Sequence, residues 1–232
     1  MRNGPLRAFV FDAYGTLFDV HSIIALAETI APRQGAILSQ IWRTKQLQYT
    51  WLQSLMRGSI DARDDFAALT AKALDYAASQ LTIPLRDDAR QQLLDAYLHL
   101  APFADAAAAL ADLAPRPRFI LSNGTLAMLE PLVRESTLKP HIDGILSVDA
   151  AGIYKPAPDT YRLALERLQL HPAEIAFVSA NGWDAAGAAA FGFTTFWINR
   201  NGEPTERHAR EPDFIVGSLA NLSPIAQMYA AP

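Results

Sequence analysis

The sequence predicts an α/β fold, a parallel sheet covered by helices with a helical cap inserted after the first strand, and three observations carry that expectation. Short apolar runs bounded by turn residues recur at 8–11, 119–121, 175–178, 194–198 and 214–216, as expected of strands buried on both faces. Helical stretches near 126–137, 158–168, 183–191 and 218–228 separate the later runs, and such alternation implies parallel pairing. From about residue 18 to residue 98 the alternation stops, and the chain reads as helix throughout, with amphipathic stretches near 21–30, 36–57, 64–79 and 87–98. We therefore expect a core of residues 1–17 and 99–232, a cap of residues 18–98, and a reacting site between them.

The elements follow in order. The run AFVF at 8–11 ends on Asp12, so the first strand delivers a carboxylate to its own carboxyl end. The alanine-rich stretch 106–111 consists of the strongest helix former and reads as a helix, not as low complexity. No repeat at a fixed period is present. With 232 residues, half of them hydrophobic and 19% charged, the chain has the composition of an ordinary globular protein.

Composition also excludes functions. A net charge of −4, with no Lys/Arg block, gives no electrostatic footprint for nucleic acid or an anionic membrane. The absence of cysteine removes disulfides, thiolate metal sites and a cysteine nucleophile, and fits a reducing, cytoplasmic setting. No apolar stretch reaches the roughly 18–20 residues of a membrane span, and the first residues lack an export pattern, so a soluble protein is expected.

Four polar clusters each follow an apolar run or its loop: DAYGT at 12–16, SNGT at 122–125, YKPAPD at 154–159 and SANGWD at 179–184. Singly, each could be a turn or a helix cap, the common use of Ser, Asn, Asp and Gly at strand ends. Together they would converge in the crevice beyond the carboxyl ends of the strands, where open α/β sheets bind their ligands.

The clusters, in this order, resemble the four motifs of the haloacid dehalogenase superfamily. The match sharpens in DAYGTLFDVHS, WRTKQLQYTWLQSLM, DAYLHLAPF, LSNGT, ILSVD, IYKP and FVSANGWDAAGA, which are similar to the L-2-haloacid dehalogenase family and cover nearly the whole chain. The resemblance implies a Rossmann-like core, a small 2-haloalkanoic acid as substrate, an aspartyl-ester intermediate, no cofactor, and a homodimer formed through cap helices. An apolar face including Trp51, Leu52 and Leu55 is compatible with such a dimer.

Two features separate this reading from the phosphatases of the same superfamily. Those resemble one another in a second Asp two residues after the nucleophile, which protonates the leaving alkoxide; here Tyr14 stands in that place. A halide leaves as a weak base and needs no proton. Magnesium requires several hard oxygen ligands, whereas the last cluster offers Ser179, Asn181 and a single carboxylate, Asp184, so no metal is expected. A magnesium-dependent phosphohydrolase remains the competing enzyme reading, and a non-catalytic binding or dimer-forming member the third.

Charge dictates the rest. Substrate and nucleophile are both carboxylates, and their approach costs about 4 kcal/mol per charge pair at 4 Å if the effective dielectric is near 20. Lys155, one of only four lysines, is the core cation; an ammonium beside a carboxylate favours its ionised, nucleophilic form. Arg43 on a helix would ordinarily be solvated; the resemblance turns it toward the departing halide, with Asn181 and an aromatic wall. The resemblance places Asp184, Lys155, Ser179 and Asn181 around the hydrolytic water, gives Thr16, Ser122 and Asn123 to Asp12 and the substrate carboxylate, and sets Tyr161 near the site. Tyr14, Leu47, Trp51, Phe66 and Trp183 are candidates for an apolar pocket wall, against the simpler reading as core.

Departures from the family pattern are the longer 57–66 segment, which bears on Phe66, and the small residues Ala180 and Gly182. His21, His99, His141, His171 and His208 fall outside the clusters and read as structural or surface residues. Ser122 lacks His and acid partners for a serine triad.

Overall fold

The structure, a computed structural model, describes residues 4–57, 63–207 and 210–229. His208 and positions 58–62 of the longer segment lie outside the described residues. Six parallel strands form one sheet: β1 (Ala8–Phe11), β2 (Arg118–Ser122), β3 (Gly144–Ser147), β4 (Ile175–Ser179), β5 (Thr194–Ile198) and β6 (Phe214–Val216), in the order β3-β2-β1-β4-β5-β6. Every residue of β1 is buried, which explains an unbroken apolar run where a one-faced strand would alternate.

The strand order makes β1 the switch point. The chain winds outward on one side through β2 and β3 and on the other through β4, β5 and β6. Phe11 pairs with both Ile120 and Val178, so residue 12 and the ends of β2 and β4 emerge at one edge. A crevice opens where winding reverses, and ligands of such sheets bind there.

β3 is absent from the sequence expectation. It is an edge strand, only partly buried, and it starts on Gly144, where an added Cβ would lie 2.4 Å from the Phe119 ring. An edge strand packing through its neighbour's side chain gives little apolar signal of its own. The helix expected over 218–228 is a short 3-10 turn at Leu219–Asn221 followed by a helix at Leu222–Gln227, and that expected over 126–137 ends at Arg134.

Between β1 and β2 the chain forms α1 (Ile24–Ile30), α2 (Gly35–Leu55), α3 (Phe66–Gln80) and α4 (Asp87–Ala96), then α5 (Ala106–Asp112). Asp65 starts α3, its side chain accepting a hydrogen bond from the Ala68 amide as an N-cap. Leu38, Trp42, Gln46 and Thr50 of α2, four apart, form one buried stripe. The buried residues of α3, among them Leu69, Ala73 and Ala77, include small side chains that let the two helices pack closely. The remaining helices are α6 (Leu126–Arg134), α7 (Pro158–Leu168), α8 (Gly182–Phe191) and α9 (Leu222–Gln227). No helix among the described residues is long and apolar enough to cross a membrane.

The cap is tied down beside the site. Arg63 pairs with Asp149 and lies over the Tyr154 ring, 4.2 Å from its centroid. The Tyr154 hydroxyl donates to the Asp64 carbonyl at 2.6 Å and its amide to Ser54 Oγ at 3.2 Å.

Candidate active site

Asp12 leaves β1 into the crevice with only 6% of its surface exposed. Its Oδ2 accepts hydrogen bonds from Thr16 Oγ1 (3.0 Å) and Asn181 Nδ2 (2.9 Å), and its Oδ1 from Lys155 Nζ (3.2 Å). Gly15, at φ +92°, provides the left-handed turn that brings Thr16 back toward Asp12. Thr16 Oγ1 also accepts from the Ala180 amide at 2.8 Å, which joins the first loop to the last.

Lys155 is 1% exposed, and its ammonium lies between Asp12 and Asp184, donating to Asp184 Oδ2 at 3.0 Å. Its Nζ stands 4.9 Å from the centroid of the Phe177 ring, and its backbone amide donates to Asn123 Oδ1. An ammonium this deeply buried persists because both neighbours are carboxylates. Asp184, fully buried in the first turn of α8, accepts from the Tyr161 hydroxyl at 2.8 Å. Burial pushes the Asp184 carboxyl up; Lys155 opposes this, and Asp12 adds to it. Burial and Asp184 likewise raise the Tyr161 phenol. Gly187 permits this packing, since a Cβ there would lie 2.7 Å from the Tyr161 hydroxyl.

Arg43 approaches from α2. Its Nη1 donates to Gln46 Oε1 (2.7 Å) and its Nη2 to the Tyr14 carbonyl (3.1 Å). Tyr14 is 2% exposed, and burial raises its phenol. Its ring packs 5.6 Å from Phe66 and 6.0 Å from Tyr97, and its hydroxyl has no hydrogen-bond partner among the described residues. Gly124 makes room for that ring, because a Cβ there would sit 2.8 Å from Tyr14 Cε2. A cavity of about 430 Å³ opens beside these groups, lined by Arg43, Leu47, Ala180, Asn181, Trp197 and Arg200 among others.

Other expected residues are nearby but otherwise engaged. Ser122 and Ser179 are fully buried, and their hydroxyls accept from the amides of Gly124 and Asn181, shaping the loops after β2 and β4. Trp183 meets Trp51 edge to face at 5.3 Å, a contact between cap and core. Gly182 has only Glu206 near a built Cβ, at 3.4 Å or more, so a small side chain would fit there. His21 is exposed yet borders the cavity, His99 pairs with Glu135 at 2.9 Å, and His171 caps a 3-10 turn. Among the described residues no group of three or more His, Cys, Asp or Glu side chains is arranged to hold a metal ion.

Comparison with known proteins identifies the family. The model of the haloacid dehalogenase-like hydrolases matches residues 6–192. The chain belongs to the haloacid dehalogenase-like hydrolase family. Among this family's members, an (S)-2-haloacid dehalogenase of Pseudomonas putida is 40% identical over 220 residues, spanning 94% of this chain and 95% of that protein. The solved structure of an L-2-haloacid dehalogenase superposes with a TM-score of 0.93 at 42% identity, covering 96% of this chain and 99% of the other. Another, from Xanthobacter autotrophicus with chloropropionic acid covalently bound, gives 0.87 at 37% identity, covering 96% and 98%.

The structure also brings Gln46 and Tyr97 against Arg43, and Trp197 and Arg200 to the cavity, none of which the sequence singled out. Gln46 carried a usable signal, standing four residues after Trp42 and three after Arg43 on one helix. Trp197 lies within β5 and Arg200 just beyond it, in the polar stretch NRNGE at 199–203, which is the signal that could have pointed to this strand end; Arg200 bonds Asp105 and the Thr16 carbonyl from there.

Proposed function

We propose that the chain is an (S)-2-haloacid dehalogenase, a hydrolase of carbon–halide bonds that converts an L-2-haloalkanoate and water to the D-2-hydroxyacid, halide and a proton. The observation that carries this reading is the Asp12 carboxylate, backed by an ammonium and two neutral donors, one of which, Asn181, lines the neighbouring cavity together with the cation of Arg43. Tyr14 stands where a phosphatase of this fold would place its acid, which favours a leaving group needing no proton. The names of the similar proteins support the same substrate class.

In this scheme Asp12 Oδ1, which accepts one hydrogen bond where Oδ2 accepts two, attacks the halogen-bearing carbon in line. The carbon–halogen bond breaks, halide departs toward Arg43 and Asn181, and an ester forms with inverted configuration. Water then adds to the Asp12 Cγ and gives one proton to Asp184; the bond from Cγ to the substrate oxygen breaks, that oxygen takes the other water proton, and the hydroxyacid leaves with Asp12 restored as a carboxylate and the Asp184 proton released to solvent. Burial suits Asp184 to that step by raising its proton affinity. Thr16, Ser179 and Asn181 hold the acyl group and the water, while Ser122 and Asn123 serve the substrate carboxylate. Leu47 lines the cavity, whereas the other expected wall residues stand back from it: Tyr14 and Phe66 are buried ring against ring, Trp183 packs on Trp51, and Tyr161 acts through its bond to Asp184.

We further propose that residues 18–98 act as one cap on a core of 1–17 and 99–232, that no metal takes part, and that the enzyme is a cytoplasmic homodimer. The Lys155 ammonium already occupies the place between the two carboxylates that a metal cation would otherwise bridge. Exposed Leu52 and Leu55 on α2 supply an apolar dimer face.

Incubation with L- or D-2-chloropropionate in the presence of chelator tests the proposal. Chloride is expected from the L form alone; chelator-sensitive phosphate release without chloride would replace this reading with the phosphohydrolase. Mass spectrometry after one turnover in heavy-oxygen water should find the label in the Asp12 side chain.

A further inference from the structure

We infer that Gln46, through a hydrogen-bond relay to Thr70, is a positioning residue that holds the Arg43 guanidinium in the cavity with its charge uncompensated. The inference rests on the dehalogenase reading for its kinetic consequence but not for its geometry. Gln46 is fully buried on α2, Thr70 is 2% exposed on α3, and the two side chains meet through Gln46 Nε2 and Thr70 Oγ1 at 2.7 Å.

Donor and acceptor chemistry fixes the direction of the bonds from Arg43 to Gln46, Gln46 to Thr70 and Thr70 to Phe66. A guanidinium has donors only, so the atom of Gln46 that faces Arg43 Nη1 at 2.7 Å is the amide oxygen. The amide nitrogen then faces Thr70, whose hydroxyl must accept from it. Its single proton goes to the Phe66 carbonyl, 2.6 Å away and one turn back on α3. Trp42 Nε1 donates to the Thr70 carbonyl at 2.8 Å, locking the same turn of α3 against α2. The Tyr97 phenol, raised by burial, lies against Arg43 and Gln46 from α4's end. Arg43 is thus aimed by the α2–α3 packing, not by its own flexible stem.

The identity of the acceptors matters as much as their position. Arg43 is held by an amide oxygen and a backbone carbonyl, both neutral. A carboxylate would hold it as well but would cancel the charge an incoming anion or departing halide requires. This explains a fully buried glutamine, bonded at both its amide oxygen and its amide nitrogen, in the packing between α2 and α3.

Halide release from L-2-chloropropionate should fall about tenfold in kcat in Gln46→Met and several-fold in Thr70→Val, with folding intact by circular dichroism. Thr70→Ser, which keeps the hydroxyl and loses a methyl, should recover most of the Thr70→Val loss. Mere packing predicts the reverse order, because valine fills the site and serine leaves a void, so that order would overturn the inference. The second arm is a crystal structure of Thr70→Val, in which Arg43 should depart from its present bond to Gln46. An unmoved Arg43 overturns the relay even in a protein that releases no halide, whereas a displaced Arg43 without halide release removes only the dehalogenase reading.

Discussion

The two sides of the crevice handle charge in opposite ways. On the core side, Asp12, Lys155 and Asp184 are almost wholly buried, and each ion has another as its partner. On the cap side, Arg43 is half-buried and bonded only to neutral oxygens. An ion withdrawn from water costs several kcal/mol unless paired, so each buried ion on the core side needs an opposite charge beside it. A guanidinium at a cavity wall keeps partial hydration and can leave its charge open. The core side therefore ties reactivity to stability, and the cap side separates the two.

The sharpest test of that contrast is Asp12→Ala. Turnover should fall by about 10³-fold or more, as when a covalent nucleophile is removed. The protein should stay folded, because Lys155 keeps its Asp184 partner. Appreciable residual halide release would argue against an ester on this side chain.

Lys155→Met and Arg43→Lys then separate the sides directly. Removing the ammonium leaves two carboxylates buried together, and unfolding in urea should show a loss of about 3–5 kcal/mol along with activity. Arg43→Lys retains a cation but not the two-nitrogen grip on Gln46 and Tyr14, so kcat should fall about 10²-fold with stability within about 0.5 kcal/mol of wild type. A comparable stability loss in both variants would erase the distinction between core and cap.

The same contrast explains what could be read from the chain alone. Strands β1, β4 and β5 are runs of apolar and β-branched residues, Asp12 and Asp184 fall in short polar clusters after β1 and β4, and Lys155 falls in a third cluster before α7, so most of the sheet and the buried triad were legible. β3 was not, because Gly144 and a half-exposed edge carry no pattern. The helical insertion was legible as a break in the alternation. Its contribution to the site was less so: Gln46 and Thr70 are polar residues on helices, and only tertiary packing turns them inward. Arg43 was identified by resemblance, since its helical position alone points to solvent.

A smaller effect probes how tightly the buried cluster is built. Gly187→Ala would place a Cβ 2.6 Å from Pro156 Cβ and 2.7 Å from the Tyr161 hydroxyl. Overpacking of this kind costs about 1–3 kcal/mol and should loosen Tyr161 from Asp184. Thermal melting together with kcat would show whether the strain reaches the site; a silent substitution would mean that the loop after Lys155 yields without moving the carboxylate.

The smallest expected effect is a slope. Burial raises the folded-state proton affinity of Asp184 above that of the unfolded chain, so between those two values the folded protein holds more protons. The stability contributed by this group is complete below the ordinary carboxylate pKa, about 3.9, and is lost as pH rises through the folded value. Each unit of separation corresponds to about 1.4 kcal/mol. Asp184→Asn removes the titration and should therefore gain on wild type in urea unfolding from pH about 4 toward 7, while losing turnover. A difference that stays flat, or that favours wild type as pH rises, would mean that attraction to Lys155 outweighs the cost of burying the charge.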